Sequence, residues 1–295
     1  QSELERDMSE SVNILADKQG ISYEEALGQL KYNYDGYHFC HESEDIYNPF
    51  SLIKCLDAQD FGSYWFETGT PTFLVEWLMR SHIDETALDR MSSIPAAAFD
   101  ISPEISNSPL PVLYQTGYLT IKDYDSRTKL YTLGYPNEEV RIGFSQCLLA
   151  GYNRDTSAGP IFVAQFFTAM DNGDINEALT LLQSFMAGIP YDLENKTEKH
   201  YQTIIYLVYT LLGYYIKAEV KSSVGRADAV CRTKDSVYVF EFKVDGSAEQ
   251  ALRQIDEKGY LIPYRFEGET KRLVKVGVNI STATRTVDSW KVVEE

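Results

Sequence analysis

A short strand that carries two charges constrains this chain more than any other feature. Residues 237–244 (VYVFEFKV) are β-branched or aromatic except for Glu241 and Lys243, which is typical of a β-strand. Because side chains alternate between the two faces of a strand, Glu241 and Lys243 share one face with Val237 and Val239. Buried charges are costly unless they are paired or hold a metal ion. The strand therefore predicts either a functional site or, if it lies at a sheet edge, a solvent-exposed cross-strand pair.

A second acid lies on another candidate strand, upstream of this one. Residues 226–230 (RADAV) are a short strand candidate that carries Asp228, and residues 233–236 (TKDS) are turn-like. Two neighbouring strands would bring Asp228 and Glu241 to one divalent cation, with Lys243 beside them. Two carboxylates suit a hard ion such as Mg²⁺, which polarises a phosphate and lowers the pKa of a bound water. Lys243 could orient that water or stabilise developing charge.

Two helices flank these strands. Apolar residues repeat at helical spacing over residues 196–214. Glu198 lies near the start of that helix, where the helix dipole favours an acidic side chain. Residues 247–260 predict a second helix, from which Gln254 either reaches a phosphate or a base, or is merely exposed. With further strands over residues 215–220 and 273–280, the order αβββαβ predicts a mixed sheet.

The ordered set resembles the PD-(D/E)XK nuclease superfamily. The segments GRAD at 225–228, EFK at 241–243 and ALRQI at 251–255 resemble the nuclease domain at the C-terminus of bacterial AAA-ATPase-like proteins. The resemblance implies a nuclease fold, a metal cofactor and a nucleic-acid substrate. The cofactor would be Mg²⁺ (or Mn²⁺), and the substrate would be nucleic acid, with DNA favoured.

The same resemblance assigns roles to residues of the C-terminal part. Asp228 and Glu241 are implied as metal ligands, assisted by the Phe242 carbonyl. Lys243 is implied as the catalytic lysine. Glu198 and Gln254 are implied as supporting catalytic residues.

The N-terminal part contains three aromatic segments. YDGY at 34–37, YNPFSL at 47–52 and YWFETGTP at 64–71 resemble the part of AAA-ATPase-like proteins that follows the ATP-binding core. No G-x-x-x-x-G-K-[ST] phosphate-binding loop is present. We therefore expect no ATP site in this chain, and we expect the nucleotide-binding half of such proteins to be absent from it.

A helix–hairpin–helix pattern follows in the N-terminal part. Residues 118–124 and 129–135 predict two strands joined by a turn, and residues 138–149 predict a helix. The pattern resembles the wing of a winged-helix fold. Such folds often contact DNA, but many serve as protein–protein modules. The local acidity favours a protein partner. Residues 158–188 then predict two amphipathic helices.

Charge is divided unequally along the chain. The net charge is −17, yet residues 195–295 hold 16 basic and 14 acidic residues, against 11 basic and 30 acidic in residues 1–194. This asymmetry favours domains with different partners. No apolar run is long enough for a membrane span. The four cysteines are scattered without a C-x-x-C pair, which favours a reduced, cytoplasmic protein.

The sequence thus predicts an α+β multi-domain protein of about two or three parts. Residues 1–155 would be a mostly helical, winged-helix-like part of an AAA-ATPase-like region. Residues 156–190 would be a helical hairpin bridge, and residues 191–295 an α/β PD-(D/E)XK nuclease-like domain. The predicted function is Mg²⁺-dependent hydrolysis of phosphodiester bonds. The alternative is an inactive nuclease-fold protein that binds or regulates through protein–protein contacts.

Overall fold

The computed structural model describes nine segments of the chain, namely residues 2–40, 42–68, 72–81, 88–89, 91–99, 108–153, 158–189, 198–216 and 229–295. These segments form two compact units, Gln1–Cys147 and Leu148–Glu295. The three-part division predicted from the sequence stays a prediction. Both units contain helices and a sheet, as expected for an α+β protein.

Capping residues predict the start of two helices in the first unit. The described helices of this unit are α1 (Ser2–Asp7), α2 (Ser9–Gln19), α3 (Tyr23–Tyr34), α4 (Pro49–Ala58), α5 (Thr72–Arg80), α6 (Leu110–Gln115) and α7 (Glu138–Asn153), which continues past Cys147. The Ser22 hydroxyl accepts from the Glu25 N–H, and the Glu25 carboxylate accepts from the Ser22 N–H, a complete capping box. Asn48 caps α4 and Pro49 occupies its first position. Buried side chains of α2, α3 and α4 form a hydrophobic core.

A three-stranded antiparallel sheet completes the first unit. Its strands are β1 (Met91–Pro95), β2 (Thr120–Asp125) and β3 (Leu130–Gly134), in the order β1-β3-β2. β2 and β3 form the hairpin expected from the sequence. β1 was not predicted, because MSSIP has little β-branched or aromatic character and pairs with a strand far along the chain. The likeness to a winged helix stays a prediction.

The second unit combines a helical hairpin with a mixed sheet. Its elements are α8 (Ala158–Asp171), α9 (Ile175–Ala187), α10 (Glu198–Ile216), β4 (Ala229–Arg232), β5 (Ser236–Val244), α11 (Ala248–Lys258), β6 (Arg272–Ser281) and β7 (Thr286–Glu294). The strand order is β4-β5-β6-β7. β5 and β6 are parallel, whereas the outer pairs are antiparallel. The mixed sheet predicted for this region is therefore confirmed.

Helices cover both faces of β5. On one face, the Tyr209 ring of α10 lies 5.1 Å from the Phe240 ring and 6.0 Å from the Phe242 ring, measured between centroids. On the other face, Val237 and Val239 belong to a buried cluster that includes Ile255 of α11. The alternation predicted for the strand is thus confirmed, and the face that carries Glu241 and Lys243 is the one that α11 covers.

One strand prediction needs correction, and one strand was not predicted. Tyr215 and Ile216, expected in a strand, are the last residues of helix α10, and the rest of that prediction lies outside the described residues. β7 was not predicted, because most of its side chains are exposed and the alternation of buried residues is weak. β7 packs against α9, where the Gln183 side chain donates to the Val287 carbonyl at 2.7 Å.

Candidate active site

Glu241 and Lys243 lie side by side on the covered face of β5. The Lys243 ammonium donates to Glu241 Oε1 at 3.1 Å. Glu241 is only 2 % exposed, whereas 28 % of the Lys243 side chain is exposed. β5 is hydrogen-bonded to β4 on one side and to β6 on the other. The interpretation of this pair as a solvent-exposed pair on an edge strand is therefore wrong.

Gln254 completes a hydrogen-bonded group around Lys243. The Lys243 ammonium also donates to Gln254 Oε1 at 2.5 Å, and Gln254 Nε2 lies 3.5 Å from the Tyr260 hydroxyl. Gln254 is half-buried on α11, not merely exposed. The structure therefore joins Glu241, Lys243 and Gln254, three of the residues that the sequence proposed for the site. Tyr260 was not proposed as a site residue, since nothing in the sequence places its hydroxyl against Gln254.

Gly277 sets the distance between α11 and the site. In the parallel register Gly277 of β6 lies next to Glu241. A Cβ added at Gly277 would lie 2.4 Å from the Ala248 carbonyl oxygen and 3.0 Å from the Leu252 amide nitrogen, both in α11. Only glycine allows this approach. An isolated glycine within an apolar strand is a sequence signal for such a contact, and it was overlooked.

Two ion pairs also hold α11 against the sheet. The Lys275 ammonium of β6 lies 2.9 Å from Asp256, and this hydrogen bond raises the pKa of Lys275. The Lys291 ammonium of β7 lies 2.5 Å from Glu249 in the first turn of α11. The hydrogen bond from Lys291 lowers the pKa of the Glu249 carboxyl to about 2. Both pairs fix the helix that carries Gln254.

The chain turns immediately after Lys243. Asn279 lies beside Lys243 in the register of β5 and β6, and its buried side-chain oxygen accepts from the Gly246 N–H at 2.9 Å. Asp245 has a φ of 51°, and its carboxylate accepts from the N–H and the hydroxyl of Thr282. These contacts fix the turn that brings the chain from Lys243 into α11.

Two proposed site residues are not described at the level of their side chains. Asp228 lies outside the described residues, directly before β4, whose Ala229 pairs with Phe240 of β5. Glu198 is the first residue of α10 and so lies near the start of the predicted helix, but its side chain is outside the description. The Phe242 ring lies on the α10 face, and its carbonyl belongs to the backbone between Glu241 and Lys243.

Comparisons with known proteins identify the superfamily of the C-terminal domain. The sequence model of the PD-(D/E)XK nuclease superfamily matches residues 196–290. This part of the chain is therefore a PD-(D/E)XK nuclease superfamily domain, and that prediction is confirmed. A protein of Azotobacter chroococcum mcd 1, named "Uncharacterized protein in vnfD 5'region", is 34 % identical over 270 residues, which cover 88 % of this chain and 51 % of that relative. The chain thus spans about half the length of this relative. No solved structure matches the chain.

The relationship to AAA-ATPase-like proteins stays a prediction. Within the described segments, no helix has the length and apolar character needed to cross a bilayer.

Nucleases of this superfamily typically use divalent metals. Among the residues that the structure describes, no three His, Cys, Asp or Glu side chains form a group that could hold one. The Glu241 carboxylate supplies buried oxygen donors, the ligand type that hard divalent cations prefer. The donor chemistry of Glu241 therefore suits such an ion.

Proposed function

We propose that this protein is a metal-dependent nuclease that hydrolyses phosphodiester bonds of nucleic acid. The observation that carries the proposal is the placement of Lys243. Its ammonium is held between the buried Glu241 carboxylate and the Gln254 amide, at the end of a central strand, and remains partly exposed. A cation fixed in this way is suited to stabilise negative charge that develops on a phosphate in the transition state.

In this proposal Asp228, Glu241 and the Phe242 carbonyl would hold Mg²⁺ or Mn²⁺. A bound divalent ion supplies a polarised phosphate and a water of lowered pKa. The proposal requires the antiparallel pairing of Ala229 with Phe240 to extend by one residue, to Asp228 and Glu241. Side chains directly opposite each other in an antiparallel pair lie on the same face, which would bring both carboxylates together.

The remaining groups act on Lys243 and the substrate. Gln254 Oε1 accepts a hydrogen bond from the Lys243 ammonium and so fixes the orientation of this nitrogen. Ion pairs between α11 and the sheet keep Gln254 in place. Glu198, at the start of α10, would add a supporting acid. Preorganised groups of this kind need no rearrangement when charge develops.

DNA is the favoured substrate of the proposed nuclease. The domain is mildly basic while the N-terminal part is strongly acidic, so we assign nucleic acid to the former and a protein partner to the latter. The N-terminal part would be the winged-helix-like portion of an AAA-ATPase-like bacterial protein. Four free cysteines accord with a cytoplasmic location, where thiols stay reduced.

A second candidate is an inactive nuclease-fold protein that acts through protein–protein contacts. The observation in its favour is that the Lys243 ammonium already partners Glu241 Oε1 at 3.1 Å, so this carboxylate has a compensating charge without a metal. In that case the pair would serve only to position α11.

Metal binding separates the two candidates. We expect Mn²⁺ or Mg²⁺ to raise the melting temperature of the wild-type protein, because a ligand that binds only the folded state stabilises it by mass action, by about 2.7 kcal/mol at a hundredfold excess over Kd. Glu241→Gln and Asp228→Asn should each remove the shift without preventing folding. Lys234→Ala, in the exposed turn before β5, is the control and should keep it. A wild-type protein with no shift in either metal would favour the inactive candidate.

A further inference from the structure

Gln250 lies at the mouth of the site, one helical turn before Gln254 on α11. A Cβ added at Gly246, in the turn after β5, would lie 2.7 Å from Gln250 Oε1 and 3.1 Å from Lys243 Cβ. The Gln250 amide oxygen and the stem of Lys243 therefore both lie against Gly246. Gln250 and Gly246 are exposed and Lys243 is partly exposed, so a bound molecule can reach both side chains.

The two glutamines differ in what they already bind. Both amide atoms of Gln254 are engaged, the oxygen by Lys243 and the nitrogen by Tyr260. The backbone N–H of Gln250 donates to the Ser247 hydroxyl at 3.2 Å. Within the described parts of the chain, the side-chain amide of Gln250 has no hydrogen-bond partner. Gln254 is thus committed to positioning Lys243, whereas Gln250 is available for a ligand.

The described carboxylates around Gln250 already have partners. Glu249 is paired with Lys291, Asp245 accepts from Thr282, and Glu241 accepts from Lys243. An amide N–H that donates to a charged acceptor forms a stronger bond than one that donates to a neutral group. A phosphate oxygen is such an acceptor, and nucleic-acid backbones present them in series.

We propose that the Gln250 side-chain amide donates to a non-bridging oxygen of the phosphate adjacent to the scissile one, and so fixes the register of the nucleic-acid strand at Lys243. This inference rests on the proposed nuclease function. It assigns substrate positioning to Gln250, and it leaves Gln254 as a residue that acts on Lys243 and not on the substrate.

The test compares Gln250→Ala with wild type in cleavage of a fluorescein-labelled DNA duplex, and in binding of the same duplex in a Lys243→Ala background. Loss of one hydrogen bond to a charged acceptor should raise KM and Kd about tenfold, while kcat changes much less. Gln250→Lys, which restores a donor, should recover binding. Glu257→Ala is the matched control, since Glu257 is exposed on the same side of α11 but about two turns further on, and it should leave KM, Kd and kcat unchanged.

A neutral methylphosphonate placed beside the scissile phosphate identifies the partner atom. It should weaken wild-type binding about tenfold and weaken Gln250→Ala no further, because the contact is already lost. Equal weakening of both proteins by the methylphosphonate would overturn the assignment. So would a Gln250→Ala variant with wild-type KM and Kd. A wild-type protein that neither cleaves nor binds any nucleic acid would instead refute the nuclease proposal itself, so the two failures are distinguishable.

Discussion

Gly277 lies beside Glu241 in the parallel register of β6 and β5, and α11 crosses Gly277 so closely that no side chain fits there. The helix that supplies Gln254 is thus seated directly next to the buried carboxylate. This contact links the packing of the domain to the geometry of its site.

Replacement of Gly277 by alanine should push α11 away from the sheet. The added Cβ would lie 2.4 Å from the Ala248 carbonyl oxygen, and such overpacking typically costs about 1–3 kcal/mol. We expect Gly277→Ala to lower the free energy of unfolding in urea by that amount and to reduce kcat as well. Gly28→Ala is the opposite control, because α3 leaves open space at Gly28 and alanine is the better helix former by about 0.8–1.0 kcal/mol. Equal stability changes in the two variants would contradict this account.

Gln254 should affect catalysis through Lys243 alone. Gln254→Leu removes the acceptor that lies 2.5 Å from the Lys243 ammonium, so the ammonium loses its fixed orientation. We expect kcat to fall about tenfold, equivalent to roughly 1.4 kcal/mol, with KM little changed. Gln254→Glu keeps an acceptor oxygen and should recover much of the loss. A Gln254→Leu variant that raises KM and leaves kcat intact would show that Gln254 contacts the substrate instead.

The Lys275–Asp256 pair should give stability that depends on pH. Its hydrogen bond raises the pKa of Lys275 above 10.5, so the contribution is fully present below that pH and is lost as the pH rises through the higher folded-state value. Because the Asp256 side chain is 58 % exposed, Asp256→Asn should cost at most about 1 kcal/mol at pH 7. In urea unfolding at pH 7, 9 and 11, the difference in unfolding free energy between Asp256→Asn and wild type should shrink only at the highest pH. The control is Asp235→Asn, in the exposed turn before β5, which should be as stable as wild type at all three pH values. A loss of unfolding free energy in Asp256→Asn that grows with pH would refute the assignment.

Local signals in the sequence were sufficient for several elements. The capping box at Ser22 and Glu25 and the Asn48–Pro49 start of α4 depend on neighbours only three residues apart or fewer, so they are readable without a fold. The alternation of β5 likewise gave the faces of Glu241 and Lys243 correctly. These predictions succeeded because periodicity and capping are local properties.

Contacts between distant residues were not readable in the same way. The half-buried state of Gln254 depends on the approach of α11 over Gly277, which only the packed domain reveals. The weak strand β7 forms because β6 offers it a partner and α9 covers it. Its residues lack a clear alternation of buried and exposed side chains. Tertiary context in these cases outweighs local propensity.

The central claim is that Lys243 serves a metal-dependent phosphodiester cleavage. The most direct measurement is a nicking and cleavage assay on single- and double-stranded DNA and RNA with Mg²⁺ or Mn²⁺, with wild type, Lys243→Ala and the control Lys234→Ala side by side. We expect cleavage by wild type and by Lys234→Ala, loss of cleavage by at least a hundredfold (about 2.7 kcal/mol) in Lys243→Ala, and no cleavage in EDTA. Cleavage that persists at the wild-type rate in Lys243→Ala, or no cleavage of any substrate by the wild-type protein, would contradict the claim.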